Sequence, residues 1–333
     1  MPPETTQSRF RKVLAGEKPA DRLPVVEWAM WWHLTLNRWR TEGLPPEADG
    51  PGVKRFFDLD LDYQLWFPQM APGARRQGGD HWITDDDSYD RLRPYLYPDP
   101  PPVDWDLWRR RAAVHVEGGC VFWITLEGFF WWPRVLFGIE PHLLAFYDRP
   151  DLMRRINQDQ VEYQIRCLRA LDGIATPDFM TFAEDMSYNH GTMISREQFD
   201  AFMAPYYRQI IPELNARGIT PLVDSDGDIE PLVPWLESVD VRGILPLERM
   251  AGVDVNRLRQ RHPDWIMIGG FDKTVMHRGE AALRAEFERL MPVMKSGRFI
   301  PSVDHQTPPA VSIEDYRLYL DLLREYAARA VDG

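Results

Sequence analysis

From residue 177 to the end, the chain repeats one pattern five times: a short apolar run, then a stretch of helical periodicity. The apolar runs are "PDFMTFAED", "ITPLVDSD", "VRGILPLE", "DWIMIGGFD" and "RFIPSVDH". Each is too short for a helix and is followed by a segment such as "ISREQFDAFMAPYYRQIIPELNARG", which opens on a Ser195/Gln198 capping box and closes at Gly218. Strands alternating with helices at this spacing form parallel βα units. In the N-terminal half, a short helix near Arg9 to Ala15 precedes "RLPVVEW", and "DYQLWFP" and "VHVEGGCVFWITLEG" supply two weaker strand candidates. Three plus five strands predict a single (β/α)8 barrel spanning residues 1–333, with an irregular or lid-like segment at about residues 45–102 around the proline-rich "LYPDPPPVDWD". That count disfavours an open doubly wound sheet, and the lack of a GxGxxG loop after any strand weakens a nucleotide-binding alternative.

Composition narrows the partners. A net charge of -12 over 333 residues argues against nucleic acid and anionic membrane surfaces, which need basic patches. The first residues, "MPPETTQSRFRKVL", lack the apolar core of a signal peptide, and no apolar run reaches membrane-spanning length. Two cysteines, Cys120 and Cys167, provide neither a disulfide framework nor a CxxC metal site. These features predict a cytoplasmic protein, monomer or homodimer, acting on a small molecule. Of 13 tryptophans, 11 fall in the first 132 residues. Trp28, Trp31 and Trp123 are candidates for the walls of an aromatic pocket, although tryptophans in such numbers also simply fill cores.

Chemistry concentrates at the strand ends. Reactive groups of a βα barrel lie at the C-terminal ends of its strands, and here those ends read Glu27, Glu184 and Asp185, Asp224 and Asp226, Glu248, Asp272, Asp304 and His305. In "LVDSDGDIEPLVPWL", residues two apart share a face, so Asp224 and Asp226 are expected to point together. Asp228 fits a helix N-cap. Two carboxylates about 4 Å apart repel by roughly 4 kcal/mol at an effective dielectric near 20. A ring of them therefore requires a cation, a basic side chain such as Arg249 or Lys273, or a shared proton.

The segments "LVDSDGDIEPLVPWL", "GILPLE", "IMIGGFDK" and "FIPSVDHQTPPAVSIEDY" resemble the uroporphyrinogen decarboxylase superfamily. "RFRKVLAGEKPADRLPVVEW" is similar to its opening, and "FAEDMSYNHGTMISREQFDAFMAPYY" to its fourth strand and following helix. That superfamily includes porphyrinogen decarboxylases, zinc-dependent methyltransferases that deliver methyl groups to thiols, often from corrinoid proteins, and cobalamin-independent methionine synthases. The decarboxylases carry an Arg-rich RQAGR segment after the first strand; this chain has "EWAMWWHL" there, which argues against porphyrinogen as substrate. The resemblance places the metal positions of the methyltransferases at Asp224, Asp226, Glu248 and His305. The cysteines of those sites are absent, so the set is harder and suits zinc, manganese, iron or magnesium.

The resemblance thus implies a methyltransferase-like enzyme with a divalent metal, zinc first among the candidates. It would move a methyl group from a small, possibly aromatic donor to a thiol or to a corrinoid on a partner protein. Glu184, Asp185 and His305 are the catalytic candidates. The alternatives are a decarboxylase of an aromatic or pyrrolic acid and a non-catalytic ligand-binding barrel.

Overall fold

The computed structural model describes residues 4–76 and 81–332, so residues 77–80 of the expected irregular segment lie outside it. Seven parallel strands form one curled sheet in chain order: β1 (Asp62–Trp66), β2 (Val121–Glu127), β3 (Phe179–Ala183), β4 (Thr220–Asp224), β5 (Gly243–Leu245), β6 (Ile266–Phe271) and β7 (Phe299–Val303). Runs such as "VFWITLE" and "FMTFA" are buried almost throughout because helices cover one face and the sheet's own curl covers the other. All five strands expected beyond residue 177 are present.

The eighth strand is where expectation and structure part. Residues 23–27, "LPVVE", run extended beside the sheet but form no ladder with it. Val25 exchanges bonds with Asp60, whose amide donates to the Val25 carbonyl (2.9 Å) and whose carboxylate accepts the Val25 amide (2.8 Å). On the other side, the Ser302 hydroxyl donates to the Val26 carbonyl (2.9 Å). Pro24 has no N–H, and the Val25 N–H is taken by a side chain, so two of the donors a ladder would use are lost. The architecture is α/β with a curled seven-stranded parallel sheet, and the eight-stranded closure expected from sequence is not completed by backbone pairing.

Two smaller expectations also change. "VHV" of the third candidate strand belongs to the helix Trp105–Val116, and β2 starts only at Val121. The long helix after β3 is two, Arg196–Phe202 and Ala204–Ala216, broken at Met203. Pro205 cannot donate to the carbonyl four residues back, which interrupts the ladder there. The Ser195/Gln198 capping box forms as expected.

Strand register sets the interior. Trp123 of β2 pairs with Phe179 of β3, Thr125 with Thr181, and Glu127 with Ala183; Ala183 pairs in turn with Asp224 of β4. The lowest of these rows is aromatic: Trp123 stacks on Phe179 (5.4 Å between centroids), and Phe179 on Phe10 of the first helix, Thr6–Ala15 (6.3 Å). The middle row is uncharged and polar, Thr125 bonding Thr181 (2.9 Å) and Gln64 of β1 (2.8 Å). The top row, at the carboxyl ends, carries acids. Polarity therefore rises along one inner face, from an apolar floor to an acidic mouth.

Candidate functional site

Asp226, Glu248 and His305 converge at that mouth, each offering one ligand atom, all within 4.8 Å of one another. They follow β4, β5 and β7 respectively, so curling of the sheet brings them together from 79 residues of chain. His305 Nε2 stands 3.7 Å from Asp226 Oδ1. Gly227 donates its amide to Glu248 Oε2 (3.0 Å). That residue has φ +85°, and a Cβ there would lie 2.7 Å from the Tyr188 backbone, so only glycine fits this turn.

Around this trio the electrostatics are frustrated. Burial, with Asp185 and Glu248 adding repulsion, pushes the Asp226 carboxyl up to about 7. Asp224 is raised well above the ordinary range by burial and by the charges of Asp185 and Asp226. Asp185 is raised by burial, although its carboxylate accepts the Asp226 amide (3.4 Å). It also adopts φ +40°, a strained backbone for a side-chain-bearing residue, of a kind that clusters at functional sites. Burial and the charge of Lys273 hold His305 below its usual value.

Lys273 is the one counter-charge at hand among the described residues around Glu248 and Asp304. Its Nζ lies 3.5 Å from Glu248 and 3.8 Å from Asp304. Asp304 is fully buried and pushed up to about 6 by that burial, while the amides of Arg249 (3.0 Å) and Lys273 (3.2 Å) donate to it. The Arg249 guanidinium does not serve the acids; it reaches the Val253 carbonyl (3.4 Å).

Several expected members stand elsewhere. Asp224 shares the inner face with Asp226 but is not part of the trio. Strand β4 ends at Asp224, and the turn beyond it carries Asp226 forward to Glu248 and His305. Glu184, expected as an acid or base, is wholly buried and engaged. Its carboxylate accepts the amides of Phe129 (2.9 Å), Phe130 (2.8 Å) and Trp131 (3.3 Å) and the hydroxyl of Tyr207. Burial still pushes it up to about 7. Ala183 faces inward, so its neighbour Glu184 faces the helices, where it caps the helix Trp131–Phe137.

Of the three tryptophans, Trp28 stands at the site, edge-on to the His305 ring at 6.1 Å. Trp31 does not: it is buried in the core against Trp39 and Tyr316, both 6.2 Å away, because residues after 27 leave the extended run and the two-residue period lapses. Trp123 lies in the lowest row, donating to Thr181 Oγ1 (2.9 Å), beneath the mouth rather than in its wall. Asp228 accepts the Glu230 amide (3.3 Å) as a cap-like contact before a short 3-10 turn, Glu230–Leu232.

One acid escaped the sequence reading. Glu127 closes β2 on the inner face, in the same row as Ala183 and Asp224. Its signal was of the same kind as the others, an apolar run ending in a carboxylate, but uncertainty over where this strand begins obscured it.

A curled parallel sheet with acids, a histidine and a lysine gathered at its carboxyl edge defines an α/β protein of barrel-like type with an acidic mouth. The chain belongs to the uroporphyrinogen decarboxylase (URO-D) family, whose model matches residues 138–326. Among solved structures, a methyltransferase from Methanosarcina mazei superimposes with a TM-score of 0.66 at 14% identity, over 96% of this chain and 98% of that one; the likeness establishes a shared fold. A 3-keto-D-glucoside 4-epimerase from E. coli aligns with a TM-score of 0.40 and 12% identity, over 80% of this chain and 99% of that one. Comparison with curated proteins gives no match. Among the described residues, no helix is long and apolar enough to cross a membrane.

Proposed function

We propose that this protein is a methyltransferase-like enzyme of its family, moving a methyl group from a small donor to a thiol or to a corrinoid on a partner protein. The observation that carries the reading is the Asp226–Glu248–His305 trio at the mouth. A zinc-sized ion with bonds of about 2 Å needs ligand atoms roughly 3–3.5 Å apart, so this set fits after a modest closure. The fit has a second support: the raised Asp226 carboxyl marks repulsion that a divalent cation relieves. Two oxygens and one imidazole nitrogen suit zinc and also harder ions. A cation held there supplies Lewis acidity, lowering the pKa of a thiol acceptor or polarising the donor.

The remaining roles fall to this chain's own groups. Asp226, Glu248 and His305 would hold the cation. Asp185, raised by burial and strained in its backbone, takes or gives a proton at its free carboxylate oxygen. Trp28 supports the His305 ring and presents an aromatic surface. We place residues 23–27 as the eighth stave closing a (β/α)8 barrel. We infer a cytoplasmic setting.

A second reading has its own observation. Lys273 already neutralises Glu248 and Asp304 in part, and a decarboxylase of an aromatic acid needs such a cation to receive the substrate carboxylate, without any metal. Elemental analysis separates the two. Protein purified without chelators or a histidine tag is expected to carry close to one divalent ion per chain. Asp226→Ala and His305→Ala should each lower metal affinity by about tenfold or more, as loss of a directly ligating group does. Metal-free protein that releases carbon dioxide from an aromatic acid would overturn the methyl-transfer reading.

A further inference from the structure

We propose that Glu127 is a further catalytic residue of this site: a carboxylic acid that donates a proton to the oxygen released when the donor's methyl–oxygen bond breaks, which makes the donor an aryl methyl ether. The inference rests on the methyl-transfer reading above.

Placement comes first. Glu127 is the last residue of β2, and its register partners are Ala183 and, one strand further, Asp224. Adjacent strands lie about 5 Å apart, so Glu127 and Asp224 stand roughly 10 Å from each other across the row. The residue between them is an alanine, the smallest side chain of that row, above the polar Thr125–Thr181 row. A flat ring set over Ala183 would have the acid on one side and the Asp224–Asp226 edge on the other.

The side chain is prepared for one specific contact. Trp66, at the end of β1, donates its indole N–H to Glu127 Oε1 (3.0 Å). Oε2 is buried and makes no hydrogen bond of ordinary geometry, although the Trp131 indole also acts on the carboxylate. A buried oxygen left without a partner costs free energy, and a ligand atom that bonds to it recovers that cost. The strand end is also fixed. Gln160 and Gln164 both donate to the Glu127 carbonyl (2.7 and 2.6 Å), so the carboxyl does not depend on a mobile loop. Burial pushes this group up to about 7, the indoles of Trp66 and Trp131 offsetting it only in part, which keeps a proton available near neutrality.

That chemistry selects the substrate. A methyl leaving a sulfonium or quaternary ammonium releases a neutral atom that requires no proton. A methyl leaving an ether releases an oxyanion, for which a positioned acid is worth a large factor. In the step, the methyl–oxygen bond breaks with its electron pair passing to oxygen. The methyl carbon bonds to the nucleophilic sulfur or cobalt of the acceptor, and the oxygen takes the proton from Glu127 Oε2, which solvent later restores. Trp66 is 44% exposed at the rim and Trp28 stands beside His305, so both offer ring faces to an aryl group.

The test uses the whole chain and 4-nitrophenol, a chromophoric stand-in for the phenol product. Wild-type protein is expected to bind it with a shift in its absorbance, and Glu127→Gln to bind at least about tenfold more weakly, the scale of a lost hydrogen bond to an ionisable group. Infrared difference spectra of the wild type should show a protonated carboxyl band that moves when 4-nitrophenol binds, and Glu127→Gln should lack that band while keeping those of the other buried acids. No binding to the wild type, equal binding by Glu127→Gln, or an unmoved carboxyl band would each overturn the proposal. Metal content keeps the two readings apart: Glu127→Gln is expected to retain its metal. A wild type that binds 4-nitrophenol through Glu127 but holds no metal would sink methyl transfer while leaving the acid in place.

Discussion

Replacing Glu184 by alanine is expected to destabilise the protein by about 3–5 kcal/mol, the scale for removing one member of a buried charged network. The carboxylate alone satisfies three consecutive amides, Phe129 to Trp131, and the hydroxyl of Tyr207, and all of these lose their partner together. The helix Trp131–Phe137 has no cap of its own from Phe130, so Glu184 is its cap from another strand. Glutamine should recover only part of the loss, because its NH2 group would face amide donors on one side. Gly128→Ala should act through the same contact: a Cβ there would lie 2.1 Å from the Glu184 carboxyl carbon and 2.4 Å from the Ala183 carbonyl oxygen. Urea unfolding followed by circular dichroism measures both. An alanine variant within about 1 kcal/mol of wild type would remove Glu184 from this structural role.

Glu27→Gln is expected to stabilise the protein above neutral pH and to have little effect near pH 5. Glu27 is 1% exposed, and burial pushes its carboxyl from 4.5 up to about 8. Its Oε2 accepts the Tyr316 hydroxyl (3.1 Å), its Oε1 has no partner, and the charges it senses are Lys54 and Asp62, themselves paired at 2.6 Å. The folded state therefore keeps a proton that the unfolded chain gives up above about pH 4.5. Wild-type stability is full below that value, falls as pH rises toward about 8, and is level beyond. The shift corresponds to roughly 5 kcal/mol. Glutamine carries no titrating proton, so the difference in unfolding free energy between variant and wild type should grow in its favour by several kcal/mol between pH 5 and 9. Every other titrating group cancels in that difference. A difference that stays constant across the range would show that Glu27 is not held protonated.

Glu27 and Glu184 also show where reading the sequence stops. The five βα units after residue 177 were legible because turn residues punctuate them and their helices carry a clear period. The strand-end acids were legible too, since each apolar run stops at a carboxylate. With them came Asp226, Glu248 and His305 as candidates, and Lys273 as a counter-charge. Which acids face inward was not legible. In an antiparallel sheet with one wet face, alternation of apolar and polar residues reveals the inner side. Strands such as "FMTFA" and "VFWITLE" are buried on both faces and show no alternation, so Glu184 and Asp185 look equivalent in the sequence although one caps a helix and the other lines the mouth. The same lack of alternation left Glu127 unnoticed, whereas Trp31 lies in the core because the chain leaves its extended run after residue 27.

Sequence alone determined that the chain builds parallel βα units and ends its strands in acids, because both follow from local periodicity and punctuation. Tertiary structure decided the rest. Curling of the sheet chose Asp226 over Asp224 as the partner of Glu248 and His305, and Asp60, by taking the Val25 amide, kept residues 23–27 out of the ladder. Those outcomes depend on contacts between residues tens to hundreds of positions apart, whose geometry no local pattern encodes.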